Sequence, residues 1–158
     1  MFPTAINLNE KTRFEVCKLL QQLLSEATDL HQQMKFAHWN VRGLNFMPLH
    51  ELFDKIAGEL SSISDEVAER IAQLGGRPDA TIAKVAEQSE LVSYPTDAIT
   101  PAQHIEGVAA SLSDFANACR DAIEIADDLE DEVTTDLLTQ TTGKLDKLLW
   151  FVEAHQSE

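Results

Sequence analysis

Residues 38–76 read HWNVRGLNFMPLHELFDKIAGELSSISDEVAERIAQLGG. Within them Leu49, Phe53, Ile56, Leu60, Ile63, Val67 and Ile71 recur at steps of three and four, the apolar stripe of an amphipathic helix. Proline is tolerated in a first helical turn but not deeper, so Pro48 predicts a helix opening near Asn45, and Gly75-Gly76 supplies its stop. On a wheel of about 100° per residue, Asp54 lies about 40° from His50, Asp65 about 20° further and Glu69 about 40° beyond that. All four share one face. At a rise of about 1.5 Å per residue, however, Asp54 and Asp65 stand about 16 Å apart. One helix therefore carries two ligand pairs, each spaced i, i+4, that cannot close on the same ion.

Working outward, Phe14, Cys17, Leu20, Leu24, Ala27, Leu30, Met34 and Ala37 predict a long helix from Asn9, its N-cap, to about His38. Residues 77–99 are irregular apart from a short helical piece at Thr81 to Gln88. Thr100-Pro101 opens a third long helix, with Gln103 placed for a capping box and Ile105, Val108, Leu112, Phe115, Cys119, Ala122, Ile123 and Ala126 as its stripe. The acidic knot Asp127, Asp128, Glu130, Asp131, Glu132 interrupts the pattern. Val133 to Ala154 resumes it through Leu137, Leu138, Leu145, Leu148, Trp150, Phe151 and Val152. No stretch alternates with a period of two. The expectation is an all-α fold over residues 1–158 as one domain. It is a ferritin-type four-helix bundle running up-down-down-up, with a long connection and short helix between helices two and three.

Composition narrows the function. Twelve Lys and Arg face 27 Asp and Glu, for a formal net charge of −15, and neither end carries a basic tail. A duplex binder gathers cations to displace counterions, so DNA binding is disfavoured, whereas surplus carboxylates attract metal ions. Lys11, Arg13 and Glu15 interrupt the first helix, and no apolar run approaches the roughly 20 residues a membrane span needs. The start MFPTAINLNEKTR has no signal-peptide pattern. Cys17 and Cys119 sit at core spacing and read as buried thiols. A cytoplasmic protein is expected.

Histidine with several carboxylates is a donor set for Fe(II), Mn(II) or Zn(II). Any one of these residues, taken singly, is accounted for as an ordinary polar group on a solvated face; the full set on one face is not. Completion from another helix of the same bundle would call for Glu-x-x-His, which the chain lacks. The better fit is a second subunit that packs its own helix two antiparallel across a twofold axis near Glu59 and Leu60. His50 and Asp54 of one chain would then face Asp65 and Glu69 of the other. Ala57, Gly58, Ser61 and Ser62 beside the crossing are small enough for close approach, and His38 lies near enough to add a nitrogen.

The combination H-W-N, L-H-x-x-F-D and D-x-x-A-E-R-x-x-x-L-G-G, together with the C-terminal LDKLLWFVEAH, resembles the signature of the Dps family of ferritin-like proteins. The resemblance implies a hollow twelve-subunit shell with ferroxidase sites at its twofold interfaces. His38, His50 and Asp54 would hold iron opposite Asp65 and Glu69 of the neighbour. Fe(II) would be oxidised, by hydrogen peroxide in preference to dioxygen, and stored as Fe(III). Zinc or manganese could occupy the same ligands. Trp39 corresponds to a family tryptophan held to absorb stray oxidising equivalents. Asp127, Glu132 and Asp136, with Asp131 as a further candidate, would line threefold pores for iron entry. The DNA-compacting members carry basic tails, which this chain lacks.

Overall fold

The computed structural model describes residues 1–156, so the last two residues of the expected domain and of the C-terminal tail lie outside the described residues. Among these it has five helices: α1 (Glu10–Asn40), α2 (Phe46–Gln73), α3 (Ile82–Gln88), α4 (Pro101–Asp128) and α5 (Glu132–Glu153). α1 and α2 form one antiparallel hairpin and α4 and α5 another. α1 packs on α4 and α2 on α5, giving the up-down-down-up bundle with α3 in the long connection.

The ends of the helices follow their capping chemistry. The Asn9 side chain accepts from Thr12 N, and Thr100 and Gln103 form a reciprocal capping box ahead of Pro101. α2 closes at Gly75 with φ of 84°. A β-carbon there would come within 2.3 Å of the Phe2 carbonyl oxygen, so glycine is required twice over. The acidic knot is divided. Asp127 and Asp128 finish α4, Glu130 turns the chain at φ of 58°, and Asp131 caps α5 by accepting from Thr134 N.

The core is the expected one in α2, where every stripe residue is buried, and Cys17 and Cys119 are buried free thiols. Two expected core residues face outward. Phe14 is 51% exposed and Trp150 is 62% exposed. Trp150 lies about 200° around α5 from both Leu148 and Val152, so it points away from the face those two bury. Phe14 sits about 60° off Cys17, on the edge of the α1 stripe.

The crossover has little regular structure, so side chains satisfy its backbone. From α1, Gln21 reaches Asp79 O (2.7 Å), Gln22 reaches Gln88 O (2.9 Å) and Gln33 reaches Val92 O (3.1 Å). From α4, Asp114 accepts from Val92 N at 2.9 Å.

Asp131 does not belong with the exposed acids. Its side chain is nearly fully buried and accepts from Arg70 Nη2 at 2.8 and 3.0 Å and from the Thr134 hydroxyl at 2.6 Å, while Arg70 Nε donates to the same hydroxyl at 3.0 Å. This pins the end of α2 to the start of α5 and removes Asp131 from the pore candidates. Burial pushes its carboxyl up, but the Thr134 and Arg70 hydrogen bonds and the Arg70 charge outweigh that and leave it below its ordinary value of 3.8. Because the folded value is depressed, the stabilisation is complete above that value and fades as pH falls through the lower, folded one. Asp131→Ala, which strands the Arg70 charge, should cost about 3–5 kcal/mol in denaturant unfolding at pH 7. The gap between parent and variant should shrink below about pH 4.

Candidate metal centre

His38 comes from the last turn of α1 and His50 from the opening of α2, brought together by the short loop between them. That loop is made tight by Gly43 (φ 100°) and Asn45 (φ 65°), both in the left-handed region, and Val41 is buried beneath it. His38 Nδ1 lies 2.8 Å from the His50 carbonyl oxygen, and His50 Nδ1 lies 2.8 Å from the His38 carbonyl oxygen. Because a carbonyl only accepts, both Nδ1 atoms carry the proton. In the neutral form of each ring Nε2 then has the free lone pair that a ligating imidazole needs. The rings stack with centroids 3.7 Å apart and planes 19° from parallel, and Phe46 covers His50 at 4.9 Å.

Asp54, one turn after His50, completes this cluster, with Oδ1 4.0 Å from His38 Nε2. The reading from sequence overlooked Lys35. Its ammonium lies 2.6 Å from the same Oδ1 and, by that hydrogen bond and its charge, holds the Asp54 carboxyl below its ordinary range against an opposing desolvation. Lys35 is one turn before Trp39, and its Nζ sits 5.8 Å from that ring. That i, i+4 step marks Lys35 as a neighbour of Trp39, whereas its pairing with Asp54 depends on how α1 and α2 face each other. Trp39 itself is 63% exposed, beside the cluster and outside it.

Asp65 and Glu69 are exposed further along α2, away from His38, His50 and Asp54. Asp65 borders a shallow depression lined by Leu24, Thr28, Ser61, Ser62 and Ala68. Among the described residues, no three His, Cys, Asp or Glu side chains are gathered to hold a metal ion within one chain. Gly58, Ser61 and Ser62 are exposed between the pairs, and a β-carbon on Gly58 would meet nothing within 4 Å. Ala57 differs from expectation: it is 2% exposed and turns into the chain's own core.

Asp127, Glu132 and Asp136 are all exposed around the α4–α5 turn, with Asp136 accepting from Gln140 at 2.7 Å. No helix of the described residues is long and apolar enough to cross a membrane.

The family model for the ferritin-like domain matches residues 17–158. The DNA protection during starvation protein of Agrobacterium fabrum is 35% identical over 155 residues, covering 98% of this chain and 96% of its own length. The Mycobacterium smegmatis Dps structure superposes with a TM-score of 0.94 at 35% identity, covering 100% of this chain and 90% of that one. A Vibrio cholerae O1 Dps crystal structure, described as a member of a superfamily of ferritin-like diiron-carboxylate proteins, gives 0.91 at 27% identity over 99% and 98% of the two chains. With its five-helix order, its family-model match and these relatives agreeing across nearly its whole length, the chain belongs to the Dps family of ferritin-like proteins.

Proposed function

We infer that this protein is a mini-ferritin that oxidises Fe(II) at sites shared between two subunits and stores Fe(III) inside a hollow shell of twelve. The observation that carries the reading is the division of α2. Two imidazoles with Nδ1 bonded to backbone carbonyls and a carboxylate stand near one end, and two carboxylates with no metal-binding complement among the described residues of their own chain stand about 16 Å further along. A second copy of α2, antiparallel across a twofold axis near Glu59 and Leu60, sets each half against the other. The exposed Gly58, Ser61 and Ser62 leave room for that approach.

In this reading Fe(II) is the substrate. His38, His50 and Asp54 supply nitrogen and hard-oxygen donors, and Asp65 and Glu69 of the other chain add carboxylates that favour the higher charge of the product. Zinc and manganese, which share the donor preference, compete for the same ligands. Hydrogen peroxide takes one electron from each of two Fe(II) and, with two protons, leaves as two waters; dioxygen is the slower oxidant. The Lys35 ammonium occupies Asp54 until a metal displaces it. Trp39, exposed next to His38, stands where a stray oxidising equivalent would first reach the protein.

Asp127, Glu132 and Asp136 form the iron entry. Asp127 lies in the last turn of α4, where the helix dipole disfavours an anion. Cations passing through a pore would offset that cost. The relatives are named for DNA protection, but the formal net charge of −15 opposes direct DNA binding by this chain.

Purified protein given Fe(II) and peroxide should oxidise the iron rapidly without precipitation. Asp65→Ala with Glu69→Ala should slow this by about 100-fold or more, since even outer-shell partners of a metal site are worth about 10–100-fold; an undiminished rate sinks the assignment. Co-assembling that variant with a His50→Ala/Asp54→Ala variant should restore roughly a quarter of the parental rate, because half of randomly formed twofold pairs are mixed and each holds one intact site. A site built within one chain would restore nothing. Lys35→Met should tighten Zn(II) binding in calorimetry by freeing the Asp54 carboxylate. In a gel shift at low salt, where electrostatic association is strongest, duplex DNA should remain unshifted.

A further inference from the structure

Tyr94 is the chain's one tyrosine and is 8% exposed. Its hydroxyl lies 2.8 Å from His104 Nδ1. His104 is wholly buried, and its Nε2 has no hydrogen-bond partner among the described residues. The hydroxyl's other hydrogen-bond neighbour, the His104 carbonyl oxygen, is at 3.4 Å. Burial pushes the phenol above its ordinary value and the imidazole below its own, so both are neutral. The Tyr94 ring meets Phe36 edge-on, with centroids 5.4 Å apart. Phe36 lies two residues, about 3 Å of helix rise, before His38. At a two-residue step Phe36 and His38 lie on different sides of α1, and the Tyr94–His104 pair takes no part in the histidine cluster.

A buried phenol that loses only an electron becomes a radical cation, and an isolated charge in the interior is costly. Passing the proton to a base already at hydrogen-bond distance avoids that state. We propose that Tyr94 and His104 form a proton-coupled one-electron redox pair that stores a stray oxidising equivalent from the iron site. This rests on the iron-oxidation reading for its natural oxidant. That oxidant is a hydroxyl radical, produced with hydroxide and Fe(III) when peroxide takes one electron from a single Fe(II). Tyr94 gives an electron to the hydroxyl radical, which becomes hydroxide. The phenolic proton moves to His104 Nδ1, leaving a neutral tyrosyl radical beside an imidazolium. A later Fe(II) returns an electron to the tyrosyl oxygen, the proton comes back from Nδ1, and the pair is restored with one more Fe(III) formed. Because the imidazolium has no second partner, its proton has no exit and the storage is reversible.

The test separates the pair from its oxidant. In metal-free protein, flash-generated ruthenium(III) tris-bipyridyl supplies the one-electron oxidant, and electron paramagnetic resonance reads the product. A tyrosyl radical is expected, absent in Tyr94→Phe. In His104→Gln, with helix content unchanged, it should fall at least roughly tenfold, as loss of a positioned base requires. Tryptophan radicals alone in the parent overturn the proposal, as does an undiminished signal in His104→Gln. If that variant does not fold, the parent in deuterated water decides: the radical must show a coupled exchangeable deuteron from the hydrogen bond to His104, and its absence overturns the pair. A second arm replaces the flash with Fe(II) and peroxide. A tyrosyl radical in the flash arm alone leaves the pair standing and counts against the iron site as its source of oxidant; failure of the flash arm removes the pair whatever the iron arm gives.

Discussion

Each of two imidazoles gives its Nδ1 proton to the backbone carbonyl of the other's residue, and the candidate centre depends on that exchange. The bonds of His38 and His50 tie the end of α1 to the start of α2, across a loop that needs two left-handed residues to turn so sharply. They also determine which nitrogen of each ring is free. Metal-ligating histidines ordinarily rely on a carboxylate or carbonyl to orient the ring. Here each residue's backbone orients the other's imidazole, so the fold of the hairpin and the orientation of the candidate ligands are one arrangement.

From that corner α2 runs as a straight ruler. A helix cannot bend back over a few turns, so donors fifteen residues apart on one face remain separate however well the bundle packs. The core side of α2 is filled by Phe53, Ile56, Leu60, Ile63 and Ile71, all fully or nearly fully buried, and holds the helix rigid. Its outer side, with glycine and serines between the donor pairs, makes no comparable contact inside the chain. The far end is anchored by the buried Arg70–Asp131–Thr134 cluster, which couples the orientation of α2 to the turn where the exposed acids of α4 and α5 sit. The face of α2 that carries the candidate donors and the acidic end of the bundle are thus coupled through one buried ion pair.

The long crossover is held differently. It contributes little apolar surface and is fastened by glutamine and aspartate side chains of α1 and α4 that satisfy its open backbone groups. Its one deeply inserted aromatic, Tyr94, brings a hydroxyl into the interior and needs the buried His104 to receive it. A polar pair in such a place restrains the segment. It also creates a donor and an acceptor shielded from water, which is the condition for moving a proton without losing it.

The amino-acid sequence determined the helices, their caps and the face of α2 that carries the donors, because each depends on residues within a turn or two of one another. Thr100, Pro101 and Gln103 announce their helix start whatever surrounds them, and the glycines after Leu74 announce a stop. The separation of Asp54 from Asp65 is likewise a property of helical rise alone. Tertiary structure decided what depends on how the helices are rotated against each other. Lys35 reaches Asp54 only because α1 and α2 turn those faces together, whereas the outward Trp150 was already marked by its two-residue steps from Leu148 and Val152. Asp131 is one acid among five in its stretch of chain, and composition treats them alike. Packing singles it out, since only Asp131 caps α5 while facing Arg70 across the bundle, and a buried guanidinium must be answered by a charge that shares its desolvated site.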